Sequence, residues 1–216
     1  EHLDLCGDAG GQGERAFGCD LTEGAPASFN GGMRRALAAA LACALTGPVL
    51  AETCPPAPDH SDALSDLIAA AREAPDEAAG RALSDEMWAL WADAPDTYAQ
   101  ELLDEGMSRR ESYDYDGAMK AYDALVAYCP DYAEGYNQRA FIHFLREDFE
   151  QALPELERTL ELLPRHVAAL TGKALTLAAL QRTGEAALAL RAALELNPWL
   201  GERHLLPVLE AAEQEL

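Results

Sequence analysis

Basic residues are scarce in this chain of 216 residues: 16 Lys and Arg stand against 38 Asp and Glu, for a formal net charge of −22. So acidic a surface repels polyphosphate, because nucleic-acid binding depends on neutralising phosphates with Lys and Arg. Anionic lipid headgroups repel it for the same reason. The charge serves solubility, and it would also suit a basic partner. Strand formers are few as well, and no run of Val, Ile or Thr alternates with polar residues. Recognisable chemistry is equally thin. There is no HExxH, no GxSxG, no P-loop and no GxGxxG opening a helix. The absence of CxxC argues against a thioredoxin-like role. His60, His143, His166 and His204 are too dispersed for a metal cluster. Asp114-Tyr115-Asp116-Gly117 begins like a calcium loop but lacks the closing bidentate acid, so it reads as a turn and helix cap. The expectation is a protein that is not an enzyme and carries no cofactor or metal.

What is present starts with an export pattern. Met33-Arg34-Arg35 precedes an apolar run from Ala36 to Leu45, and small residues close the segment up to Ala51. A cationic head, a short apolar stretch and small residues predict a signal peptide over residues 33–51, cleaved after Ala51. A membrane anchor would need about 20 apolar residues, and Gly47-Pro48 interrupts this run. The expected location is periplasmic or secreted, with no membrane insertion after cleavage. Residues 1–32 show no period and read as a disordered, non-native upstream extension. Of the five cysteines, Cys6, Cys19 and Cys43 precede the cleavage point, leaving Cys54 and Cys129. In an exporting compartment those two are predicted to pair. The bridge would tie an extended tether over 52–60, with Pro55, Pro56 and Pro58, to the end of a helix.

Residues 61–94 carry two amphipathic patterns. Leu64, Leu67, Ile68 and Ala71 recur at helical spacing after Ser61, and Ala79, Leu83, Trp88 and Trp91 after Asp76. Ser61 and Asp76 are the expected N-caps. Beyond Pro95 a fixed period takes over. Ala118, Ala152 and Ala186 are equally spaced, and so are Pro130, Pro164 and Pro198. The period divides the chain into copies at 99–132, 133–166 and 167–200, each able to form two helices. First helices carry Leu102 and Gly106, Tyr136 and Ala140, Leu170 and Ala174. Second helices carry Ala118 and Tyr122, Ala152 and Leu156, Ala186 and Leu190. The prolines end the second helices, since a ring without an N–H cannot continue them. Such periodicity means stacked copies of one supersecondary unit.

The pattern of an aromatic or Leu, a small residue four on, then Ala-x3-aromatic or Leu, then Pro, resembles the tetratricopeptide repeat family over Ala99 to Leu200. The resemblance implies an all-α, right-handed helical-hairpin solenoid, with 61–94 as a degenerate copy and 201–216 as a capping helix kinked at Pro207. It also implies that the first helices line a concave groove for a protein or peptide. The groove residues it implies are Leu103, Met107 and Arg110, then Asn137, Phe141 and Phe144, then Thr171, Leu175 and Ala178. Leu103 and Met107 fall where one subclass of the family keeps a Lys and Asn carboxylate clamp, so that clamp is absent. Two other readings remain open: a structural protein that self-associates through the array, and an enzyme with a site in 61–93. Groove occupancy is open too, since the amino-terminal helices or the tether could fill it.

Overall fold

The computed structural model describes residues 53–214, so the signal peptide, its cleavage point and the upstream extension lie outside the described residues. Among the described residues the regular elements are all helical: α1 (Ser61–Arg72), α2 (Glu77–Trp91), α3 (Thr97–Glu111), α4 (Tyr115–Tyr128), α5 (Ala133–Leu145), α6 (Phe149–Leu162), α7 (Val167–Ala179), α8 (Thr183–Leu196), a 3-10 turn (Gly201–Leu205) and α9 (Leu206–Gln214).

Helix starts follow their capping chemistry. The side chains of Asp76, Asp96 and Asp114 accept from the backbone N–H of Ala79, Ala99 and Gly117 at 2.8–2.9 Å, which satisfies donors the first turn cannot. Ser61 does not cap α1; it is the first helical residue, and its own N–H donates to Asp59 Oδ1 at 3.0 Å. Helices α4, α6 and α8 each stop two residues before Pro130, Pro164 and Pro198. The turn inside each hairpin holds a non-glycine residue in the left-handed region: Tyr113 at φ 60°, Glu147 at 62° and Gln181 at 59°. These positions recur with the repeat, so the turn geometry is copied along with the packing.

Three hairpins, α3–α4, α5–α6 and α7–α8, stack through α4 on α5 and α6 on α7, and α9 closes against α8. The result is an all-α solenoid of helical hairpins. Ala118, Tyr122, Ala140, Ala152, Leu156, Ala174, Ala186 and Leu190 are buried between the paired helices, while Tyr136 and Leu170 are half-buried. The small residues permit close approach. A Cβ placed on Gly106 would overlap the Tyr122 ring, so the partner of Gly106 is Tyr122 one turn beyond Ala118. Pro207 sits in the first turn of α9, where its missing N–H costs nothing, and the 3-10 turn precedes it.

Helices α1 and α2 depart from the degenerate-copy expectation. They pair with each other, but α1 packs on α8 and the pair does not continue the stack in front of α3. Ile68, Ala71, Met87 and Trp91 form one core with Val167, Leu170, Leu196 and Leu200 from the far end of the array. Long-range hydrogen bonds fix this arrangement. Asn197 Nδ2 donates to Gly80 O at 3.1 Å and Ser84 Oγ at 2.8 Å, Trp199 Nε1 donates to Ala74 O, and Arg203 bonds Glu77 at 2.7 Å. Cys54 and Cys129 form a disulfide, with 5.2 Å between their Cα atoms, that ties the tether to the end of α4.

Candidate binding groove

Because the amino-terminal pair folds back, α2 lies opposite the first helices of repeats two and three. Between them runs a groove of about 440 Å³. One wall is α2, through Ser84, Met87, Trp88 and Trp91. The other is α5 and α7, through Asn137, Phe141, Phe144, Thr171 and Leu175, with Arg110 contributed by α3 of the first repeat and Leu200 and Glu202 by the segment around the end of the third. Trp88 and Phe141 keep 39% and 42% of their surface exposed, so two aromatic faces meet solvent there.

Six of the nine groove residues expected from the family resemblance are brought together here: Arg110, Asn137, Phe141, Phe144, Thr171 and Leu175. Three are not. Leu103 is 0% exposed, inside the core formed by Ala99, Ala118 and Tyr122, and Met107 packs against that same core. The physical reason is that this cluster, which takes in Tyr122 of α4, Ile142 of α5 and Ala94 of the α2–α3 linker, uses both side chains for packing. Ala178 packs against the α7–α8–α9 core instead of the groove. The groove is therefore centred on repeat two.

Beneath its floor lies a buried polar network that sequence patterning gave no reason to expect. Glu134 is 1% exposed and accepts from Gln138 Nε2 at 2.6 Å, His166 Nε2 at 2.9 Å and Asn137 Nδ2 at 3.1 Å. His166 Nδ1 accepts the backbone N–H of Ala169 at 3.2 Å, which leaves its Nε2–H to donate to Glu134. Gln138 Oε1 in turn accepts from Arg110 Nη1 at 2.8 Å and Tyr122 Oη at 3.3 Å. Burial pushes the Tyr122 phenol well above its ordinary value, so it stays protonated and remains a donor. The whole network is satisfied, as buried polar groups must be. Glu134, Asn137 and Gln138 share one helix face at i, i+3 and i+4, but the equivalent α3 positions carry Gln100, Leu103 and Asp104, so polarity at these places did not by itself mark a buried network. Thr176, also in the wall, is fully buried, and its hydroxyl has no partner among the described residues.

No family model matches the chain. A TPR repeat-containing protein of Rhizobium etli is 36% identical over 75 residues, covering 35% of this chain and 35% of its own length. A tetratricopeptide repeat protein 36 homolog of Nematostella vectensis is 34% identical over 71 residues, 33% of this chain and 39% of its own. The chain thus spans little more than a third of the curated relatives it matches. The TPR2B domain of yeast Sti1, solved as a complex with pHsp70, superposes with a TM-score of 0.50 at 26% identity, over 56% of this chain and 100% of that domain.

The three hairpins have the tetratricopeptide-repeat fold.

The first tetratricopeptide domain of human RPAP3 shares the fold at a TM-score of 0.52 and 23% identity, over 54% of this chain and 93% of that domain. In this array of hairpins α3, α5 and α7 are the first helices, and α2 is an added element that lines the groove opposite α5 and α7. Among the described residues no helix is long and apolar enough to cross a membrane, and no group of His, Cys, Asp and Glu is arranged to hold a metal.

Proposed function

We propose that this chain is an exported, non-catalytic adaptor that grips a protein or peptide partner by taking an apolar segment of it between α2 and the inner helices α5 and α7. The observation that carries this reading is the pair of solvent-facing rings, Trp88 and Phe141, on opposite walls of one groove. Large apolar surface held open on a water-facing wall is characteristic of interaction sites. The pHsp70 complex of the Sti1 domain, 26% identical, supports a peptide as occupant. The Cys54–Cys129 bridge supports an oxidising compartment, in keeping with export. The acidic surface favours a partner whose flanks are basic.

Cross-linking mass spectrometry of residues 52–216 in the native envelope tests this. The expected result is one partner linked to residues of α2, α5 and α7, lost in the Trp88→Ala, Phe141→Ala double variant. Partner links that map elsewhere and survive the double variant would overturn the groove as the docking site.

Leu188 and Val208, 62% and 65% exposed on the mutually packed helices α8 and α9, favour self-association as a second reading. Sedimentation separates the two: a dimer dissolved by Leu188→Glu supports self-association, and a monomer supports the adaptor.

A further inference from the structure

Among the described residues that line the groove, Arg110 is the sole cation. Its neighbour Arg109 pairs with Glu105 at 2.6 Å and Asp114 at 2.9 Å, the usual fate of an arginine in so acidic a chain. Arg110 forms no ion pair with a described residue. Its Nη1 is fixed on Gln138 Oε1 at 2.8 Å, and its guanidinium carbon lies 5.2 Å from the centre of the Phe141 ring. Nη2 and Nε donate to no described residue. The buried chain from Gln138 through Glu134 to His166 sets the position of this guanidinium, so it is held in place before any ligand arrives.

A planar fork of free donors beside aromatic walls suits a carboxylate attached to an apolar body. The charges along the groove give it a direction. Arg110 comes from the first repeat, whereas the lining acids Glu202 and Asp85 belong to the third-repeat side: Glu202 follows the third repeat, and Ser84 beside Asp85 is bonded to Asn197 just after α8. A carboxylate is drawn to the Arg110 side, and a second negative charge on the third-repeat side meets two acids. The volume of about 440 Å³ lies in the range of small-molecule sites.

We propose that the groove binds a small monocarboxylic acid with an aromatic or branched apolar body, its carboxylate on Arg110 and its body between Trp88, Phe141 and Phe144. This goes beyond the adaptor reading, because an apolar protein segment would use Trp88 and Phe141 whether or not Arg110 is charged.

The test is isothermal titration of the full chain with 4-phenylbutyrate and with its uncharged amide, 4-phenylbutyramide. Hydrogen bonds to a charged group predict that the amide binds roughly 10- to 100-fold more weakly. Arg110→Gln is expected to weaken the acid by a similar factor and bring acid and amide level, while Arg110→Lys keeps part of the preference. Equal binding of acid and amide by the unaltered chain, no binding of either at millimolar concentration, or a preference that survives Arg110→Gln would each overturn the proposal. If Arg110→Gln fails to fold, the acid and amide pair on the unaltered chain decides it. Partner cross-links that persist in Arg110→Gln would leave the adaptor reading standing whichever way the titration falls.

Discussion

The indole of Trp91 stacks on the imidazole of His166, with 4.0 Å between ring centres and 19° between planes. The same residue's carbonyl accepts the Tyr132 hydroxyl at 2.8 Å. Tyr132 and His166 are the closing residues of successive repeats, so one residue at the end of α2 clasps equivalent points of two neighbouring units, holding His166 through its ring and Tyr132 through its carbonyl. This makes α2 a fixed wall of the groove rather than a loose flap. Trp91→Ala should cost about 3–5 kcal/mol, the usual range for emptying a buried tryptophan site. Trp88→Ala, one turn earlier and exposed, should cost less than about 1 kcal/mol while impairing ligand binding. Urea denaturation of both variants checks the contrast.

The disulfide closes a loop across a sequence separation of 75 residues. The chain-entropy model assigns it about 4 kcal/mol through restriction of the unfolded chain. Reductant should therefore lower the urea midpoint of the unaltered protein but leave Cys54→Ser unmoved. Cys54 is the residue to replace, because Cys129 is buried in the repeat-one core and its loss would add a packing defect. A non-reducing peptide map should recover Cys54 and Cys129 in one linked species.

Gly106 and Gly201 give a matched pair. A methyl group on Gly106 would overlap the Tyr122 ring, whereas one on Gly201 would meet nothing within 4 Å. Gly106→Ala should destabilise by roughly 1–3 kcal/mol through overpacking. Gly201→Ala should fall within about 0.5 kcal/mol of the unaltered chain. Thermal melts of the two variants decide the matter, and equal melts would refute the close-approach role of Gly106.

Acid should loosen the start of α3. The Ala99 backbone N–H and the Tyr128 hydroxyl hold the Asp96 carboxyl below its ordinary 3.8. A carboxyl whose pKa is lower in the folded than in the unfolded state stabilises fully above the ordinary value. That contribution is lost as pH falls from there through the folded value. The stability of the unaltered chain should thus decline below about pH 4, and Asp96→Asn should show a shallower decline. Denaturant midpoints along a pH series measure the difference.

The repeats were legible because their determinants are local. Ala118, Ala152 and Ala186, with their prolines, mark where two helices touch and where the second stops, and each requirement is set within one copy. The Cys54–Cys129 pairing was legible by elimination. The α1–α2 placement was not, because the amphipathic stripe of Met87 and Trp91 says that the helix must be covered but not by what. Leu103 shows the consequence: its repeat position matches Asn137 and Thr171 in the wall, yet it is buried in a core shared with Ala94 of the linker and Tyr122. Glu134 and His166 were hidden for a related reason, since each looks like a surface residue until the other is placed beside it.

Sequence alone determined the hairpins, their length, their order and their stacking, because contacts within and between adjacent repeats recur at a constant spacing along the chain. Only the tertiary structure decided that the amino-terminal helices cross back to the third repeat and that α2 and the inner helices together line a groove holding Arg110. That outcome depends on contacts such as Trp91 with His166 and Asn197 with Gly80, between distant segments whose pairing obeys no period.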